Sequence, residues 1–153
     1  MNREQRKDII EAFGLIAIVA SLIFLAYETR QNTIAIQQES QQTNLAIAHE
    51  RDSWLLDLAF AETYDSGMRD LASLSSPELL QFDTFVGQSL NVWELAFYNH
   101  QSGVMTDEIW QGWDAYFRSE VRNASWRQIW TSGKRNAYAE SFQSHVDTYL
   151  TED

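Results

Sequence analysis

An uninterrupted apolar run over residues 12–27, AFGLIAIVASLIFLAY, constrains this chain more than any other feature. The run holds no charged residue, and as a helix it reaches roughly 24 Å, against a bilayer hydrocarbon core of about 30 Å. Extending it back to residue 9 includes Glu11, which Lys7 can pair with from the previous helical turn. The sequence therefore predicts one transmembrane anchor over residues 9–28, in contact with the lipid bilayer.

A cleaved signal peptide is the alternative explanation for such a run. It requires a small-residue cleavage site behind the apolar core, whereas this core continues directly into residues 27–30, YETR. We therefore expect the anchor to be retained. Three basic residues precede the run within residues 1–8, and only Arg30 follows it closely. Basic residues favour the cytoplasmic side, so we expect a cytoplasmic N-terminus and a soluble part, residues 28–153, outside the cytoplasm.

Charge and cysteine content exclude several classes of function. The chain has 22 acidic and 11 basic residues, and nearly all of its formal net charge of −11 arises behind the anchor. Such an acidic surface repels phosphate backbones, so we expect no nucleic-acid partner. Cysteine is absent, which excludes disulfides, thiolate zinc sites and cysteine catalysis.

Helical periodicity dominates the sequence behind the anchor. The chain has six glycines and one proline, and strand-like alternation is missing. We predict an all-α protein in which the transmembrane helix continues into a long stalk helix and a small helical bundle follows. The predicted segments are a basic tail (1–8), the anchor (9–28), a polar juxtamembrane stalk (29–44) and an acidic helical domain (45–153).

Turn and capping signals set the predicted helix limits. Residues 28–64 lack Gly and Pro and predict one continuous helix, with a break or kink at Asp65-Ser66-Gly67 and a short helix around 67–74 after it. The spacing of Ser75 and Glu78 predicts a capping box at the start of a helix over 77–101. Its expected buried stripe is Leu79, Phe82, Val86, Leu90, Trp93 and Phe97. Further helices are expected after Thr106, after Asn123 and over 137–150.

Four sequence blocks carry a resemblance to a known group of proteins. They are FLAYETRQNT (24–33), VWELAFYNHQSGVMTDEIWQGW (92–113), SWRQIW (125–130) and ESFQSHVDTYL (140–150). In their order and spacing the chain resembles uncharacterised bacterial proteins with one N-terminal span and a small helical domain. The resemblance implies this architecture and a location in the bacterial inner (cell) membrane. It implies no activity, cofactor or substrate.

The usual catalytic and metal-binding motifs are missing from the sequence. Residues 49–53, HERDS, lack the second histidine of the zinc-protease motif. No Glu-x-x-His pair, Gly-x-Ser-x-Gly turn or glycine-rich phosphate loop occurs. We therefore predict no catalytic, metal or cofactor residues and a protein that is not an enzyme. An acid–base role for Glu94 with His100 or His145 is the remaining enzymatic hypothesis.

Tryptophan is abundant, with six residues, and this admits two interpretations. One is a ligand pocket bordered by Trp93, Glu94, Tyr98, Trp110 and Trp113, in which Glu94 acts as an acid or base. The other is a small core filled by large side chains, with Glu94 held in a structural polar network. The second interpretation is favoured, since such networks are common in helical domains.

Small residues inside the predicted anchor favour its contact with another transmembrane helix. Ala17 and Ser21 are four residues apart, a spacing of small residues that allows two helices to approach closely, and Gly14 lies nearby. The leading functional prediction is therefore a membrane-anchored interaction protein that binds itself or another membrane protein. A membrane-tethered sensor that binds a small ligand in the Trp-rich pocket is the alternative.

Overall fold

The computed structural model describes residues 3–151, with the backbone alone at positions 4, 5, 8 and 9. The first two residues of the predicted basic tail and the last two of the predicted acidic domain lie outside this range. Within it the protein is helical and contains no strand. The α-helices are α1 (Arg3–Ser53), α2 (Leu58–Arg69), α3 (Ser76–Gln101), α4 (Asp107–Val121), α5 (Ala124–Thr131) and α6 (Glu140–Thr151), and 3₁₀ turns cover Trp54–Leu56, Leu71–Ser73 and Lys134–Ala137. The predicted fold class is confirmed.

The chain forms two compact units, Met1–Glu39 and Ser40–Asp153. The first unit is the N-terminal part of α1, with the large apolar side chains of the predicted anchor exposed along it. The second unit contains the remainder of α1 and helices α2 to α6. Asn44, assigned by sequence to the polar stalk, is buried in this second unit.

The predicted continuous helix over residues 28–64 is wrong, because α1 ends at Ser53. A 3₁₀ turn follows, and the side chain of Asp57 then accepts a hydrogen bond from the Phe60 N–H at 2.9 Å. This bond caps a new helix, α2, without any Gly or Pro. The predicted break at Asp65-Ser66-Gly67 is also wrong, since α2 runs through these residues to Arg69. The chain leaves the helix at Asp70 instead, and a 3₁₀ turn over Leu71–Ser73 stands in place of the short helix.

Helix α3 starts and ends as its sequence predicts. Glu78 accepts a hydrogen bond from the Ser75 N–H at 2.8 Å, which is the carboxylate half of the capping box. Gly103 follows the helix with a φ of 74°, a backbone conformation that suits glycine. The predicted buried stripe is confirmed from Phe82 to Phe97, whereas Leu79 is exposed.

The core of the second unit is built around α3 and is strongly aromatic. The indoles of Trp93, Trp126 and Trp130 are almost fully buried, together with Phe82, Phe117 and Phe142. The Trp93 ring stacks on Phe117 with centroids 5.7 Å apart and meets Phe142 edge-on at 5.4 Å. Rings of this size bring large apolar areas into a small domain, and the edge-on geometry adds a favourable electrostatic contribution.

The close approach of α2 and α3 at Gly67 gives a stability prediction. A Cβ at position 67 would lie 2.5 Å from Cδ2 of Phe82, a fully buried ring. We expect Gly67→Ala to lower the free energy of unfolding by about 1–3 kcal/mol, because the ring has no space to move into. Urea unfolding of the full-length protein in detergent, followed by circular dichroism, measures this change.

Gly112→Ala is the matched control, since a Cβ on this exposed α4 residue would meet nothing within 4 Å. Glycine inside a helix loses more conformational entropy on folding than alanine does. The Gly112→Ala substitution should therefore raise the free energy of unfolding by about 0.5–1 kcal/mol. Effects of the same sign and size in the two variants would contradict the tight packing of α2 on α3.

Candidate functional site

The apolar part of α1 is the first candidate site. Its large side chains are all exposed: Ile10, Phe13, Leu15, Ile16, Ile18, Val19, Leu22, Ile23, Phe24 and Leu25. The mean hydropathy of its most apolar 18-residue stretch is 2.2, and none of that stretch is buried inside the protein. Within the described residues, α1 is both long enough and apolar enough to cross a membrane. The Lys7 ammonium lies 3.8 Å from the Glu11 carboxylate before the uncharged run, as the spacing predicted.

Gly14, Ala17 and Ser21, which together form the small-residue line of the predicted anchor, are all exposed. Ser21 donates its hydroxyl to the Ala17 carbonyl at 2.8 Å, so its polar group is satisfied within the helix. A Cβ at Gly14 would meet nothing within 4 Å. Another helix could therefore approach this line closely, and self-association at Gly14, Ala17 and Ser21 stays a prediction.

Three of the five predicted pocket residues are tryptophans packed against other rings. Trp93 is fully buried and donates its indole N–H to Oδ1 of Asp114 at 3.1 Å. Trp113 stacks on Phe117 with centroids 6.0 Å apart. Trp110 lies parallel to the His100 ring, with centroids 5.1 Å apart and planes inclined by 9°. A ligand that entered between these rings would have to displace contacts the protein already makes.

The other two pocket residues, Glu94 and Tyr98, hold the start of α6. Oε1 of Glu94 accepts a hydrogen bond from the Ala139 N–H at 3.0 Å, and the Tyr98 hydroxyl lies 2.8 Å from the Ser141 hydroxyl. A carboxylate at a helix N-terminus satisfies a free backbone N–H and interacts well with the helix dipole. Glu94 thus belongs to a structural polar contact, and its partner is the backbone of Ala139. The ligand pocket itself stays a prediction.

Asp114 on α4 is the centre of a polar cluster in the second unit and contacts three other side chains. Its carboxylate lies 2.7 Å from Nε2 of His145, accepts the Tyr149 hydroxyl at 3.0 Å and accepts the Trp93 N–H. Burial raises the pKa of Asp114, but the hydrogen bonds from His145, Tyr149 and Trp93, together with the His145 charge, outweigh burial and hold the pKa below its ordinary value. Helices α3, α4 and α6 therefore meet at one ionised carboxylate.

The acid–base groups considered from sequence each have a different partner. Glu94 accepts the Ala139 N–H, His145 pairs with Asp114, and His100 lies 2.9 Å from the exposed Asp107 carboxylate. Within residues 3–151, no three His, Cys, Asp or Glu side chains are placed to hold a metal ion. The arrangement brings no two of the three proposed acid–base groups into contact with each other.

Sequence reasoning missed the importance of Asp114 and Arg51. Asp114 has a signal in the pattern, because it follows Trp110 by four residues and precedes Phe117 by three, so a carboxylate interrupts an apolar helix face. Arg51 has none. It is nonetheless buried, with its guanidinium between 5.4 and 5.7 Å from the ring centres of Phe85, Tyr116 and Phe117.

No protein-family model, curated protein or solved structure matches this chain. The resemblance to single-span bacterial proteins therefore stays a prediction from the sequence blocks.

The Asp114 cluster predicts a pH-dependent contribution to stability. A carboxyl group whose pKa is lower in the folded than in the unfolded protein stabilises the fold above its unfolded pKa of about 3.9, and this contribution is lost as the pH falls through the folded pKa. Asp114→Asn should therefore lower the free energy of unfolding at pH 7 by about 2–3 kcal/mol, and the difference from wild type should shrink towards pH 3. Urea unfolding at several pH values measures both effects.

Asp107→Asn is the matched control, because Asp107 also contacts a histidine but is exposed to solvent. Exposed ion pairs contribute little, so its loss should change the unfolding free energy by less than about 0.5 kcal/mol at pH 7. If the difference in unfolding free energy between wild type and Asp114→Asn stays constant from pH 7 to pH 3, the ionised state of Asp114 in this cluster is contradicted.

Proposed function

We propose that this protein is a single-pass membrane protein whose acidic helical domain binds a protein, either a second copy or another membrane protein, and catalyses no reaction itself. The observation that carries the proposal is the exposed apolar surface of α1, from Ile10 to Leu25, which is unfavourable in water. A bilayer would cover this surface and leave the domain as the part available to partners.

Charge supports a single orientation for the proposed topology. Arg3, Arg6 and Lys7 precede the apolar run, and Arg30 is the one basic residue in the ten that follow Tyr27. In bacteria this asymmetry would keep the N-terminus in the cytoplasm and deliver the acidic domain across the inner membrane. The resemblance to single-span bacterial proteins points to the same membrane.

An interaction role is preferred to a ligand-binding or catalytic one because the candidate chemical groups are already used in packing. Trp93, Glu94 and Tyr98 make hydrogen bonds to Asp114, Ala139 and Ser141. A ligand pocket or an acid–base pair at these positions would compete with contacts that hold the helices together. Interaction with another protein leaves them intact.

Two charges within the apolar run test the anchor. Ile18→Arg combined with Leu22→Arg should release the protein from the membrane or prevent its insertion, since each arginine near the centre of a span costs about 2.5–3.5 kcal/mol. Alkaline carbonate extraction of cell membranes measures the retained fraction.

Ile34→Arg with Ile36→Arg is the matched control, since these isoleucines are exposed on the same helix outside the predicted anchor. This variant should stay in the membrane fraction. Release of the control, or retention of the first variant, would show that the apolar run is not the anchor.

The mass of the full-length protein extracted with its surrounding lipid tests the interaction role. We expect either a defined multiple of one chain or a stoichiometric second protein. If self-association uses the small-residue line, Gly14→Leu with Ala17→Leu should lower the multiple, because larger side chains keep the helices apart, while Ile16→Leu should not. A bare monomer with no second protein would contradict the proposed function.

A further inference from the structure

An open groove runs along the second unit between the end of α1 and the first half of α3. A cavity of about 730 Å³ adjoins a smaller one of about 110 Å³, and Trp54 lines both. We define this α1–α3 groove by Ile47, Glu50, Trp54, Asp57, Leu80 and Gln88. None of these residues belongs to the Asp114 cluster or to the Trp-rich pocket predicted from sequence.

The spacing of the lining residues gives the groove the length of a short helix. Leu80, Thr84 and Gln88 follow each other at intervals of four residues, are all exposed and so lie along one side of α3. At 1.5 Å per residue they extend for about 12 Å, which corresponds to roughly two helical turns. A groove of this form suits the recognition mode in which a partner helix places its apolar side into a channel between two helices.

The larger cavity offers an apolar surface for such a helix. Leu80 is 66% exposed and Trp54 is 37% exposed, and both line the same cavity as the buried ring of Phe60. Trp54 meets Phe60 edge-on with centroids 5.8 Å apart, which fixes the indole in place. Tryptophan is among the side chains that contribute most often to protein binding.

The charges around the groove are acidic. Glu50 and Asp57 line it, and the Asp52 side chain beside them is 54% exposed. The one basic side chain in the lining, Arg51, is 5% exposed, lies against three aromatic rings and is paired with Asp52. The groove therefore presents negative charge to an incoming partner, and complementarity requires positive charge on that partner.

We propose that the α1–α3 groove binds an amphipathic helix of another protein, one whose large apolar side chains are flanked by lysine or arginine. This proposal rests on the proposed interaction function and specifies its partner. A second copy of this chain or an anionic lipid surface fits less well, because the excess of acidic residues would repel either one at the groove.

A designed peptide provides the probe. It is a fluorescein-labelled, helix-stabilised peptide of about fourteen residues, with leucine at helical spacing along one side and lysine elsewhere. The target is the full-length protein in nanodiscs of zwitterionic phosphatidylcholine, and empty nanodiscs give the background. We expect saturable binding by fluorescence anisotropy that weakens with salt, and no binding of the same peptide with glutamate in place of lysine.

Two leucine substitutions separate groove binding from general charge attraction. Leu80→Lys should weaken peptide binding by at least about tenfold, because it removes an apolar contact and adds a like charge. Leu45→Lys adds the same charge at an exposed leucine of α1 outside the groove lining and should weaken binding by less than about twofold. Unchanged thermal unfolding of both variants confirms that the fold is intact.

Several results would overturn the proposal. They are equal losses in the two variants, equal binding of the glutamate peptide, or displacement of the lysine peptide by a second copy of the chain. Leu80→Lys is also compared with wild type in the mass measurement of the membrane extract. A second protein that is extracted in the same amount with Leu80→Lys as with wild type overturns the groove as its binding site but leaves the proposed function standing, whereas the absence of any wild-type assembly overturns the proposed function.

Discussion

Burial of the Trp93 indole is the constraint on which the helical domain depends. An indole N–H removed from water needs an acceptor, and leaving it unpaired is costly. Asp114 on α4 supplies that acceptor, and its carboxylate also binds His145 and Tyr149 on α6. One carboxylate thus fixes how three helices meet. The same arrangement recurs where Trp130 donates to Asp147 at 2.9 Å and Arg135 binds that carboxylate with two nitrogens.

The acidic composition has a structural use within the domain as well as an electrostatic effect outside it. Glu78 and Asp57 cap helices, Glu94 holds the start of α6, and Asp114 binds a buried indole. Each carboxylate accepts hydrogen bonds that would otherwise be missing at a helix end or inside the aromatic core. The remaining carboxylates give the surface the charge that favours cationic over anionic partners.

Helix α1 carries two surfaces with different physical requirements. From Phe13 to Leu25 its large side chains are apolar and exposed, which is unfavourable in water. From Asn44 to Arg51 the same helix buries one face in the second unit, and Trp54 just beyond it lines the α1–α3 groove. A single continuous helix therefore contributes both to the proposed anchor and to the proposed binding surface.

The sequence by itself determined the helical class, the apolar N-terminal segment and the limits of α3, because hydrophobic periodicity, charge and capping act locally along the chain. It misplaced the end of α1, where Asp57 caps a new helix without the Gly or Pro that usually signals a break. Only the tertiary structure decided that Arg51 is buried, that Glu94 contacts Ala139 and that Trp54 and Leu80 share a groove. These contacts join residues distant in the chain, and their energies depend on packing, which one-dimensional spacing does not encode.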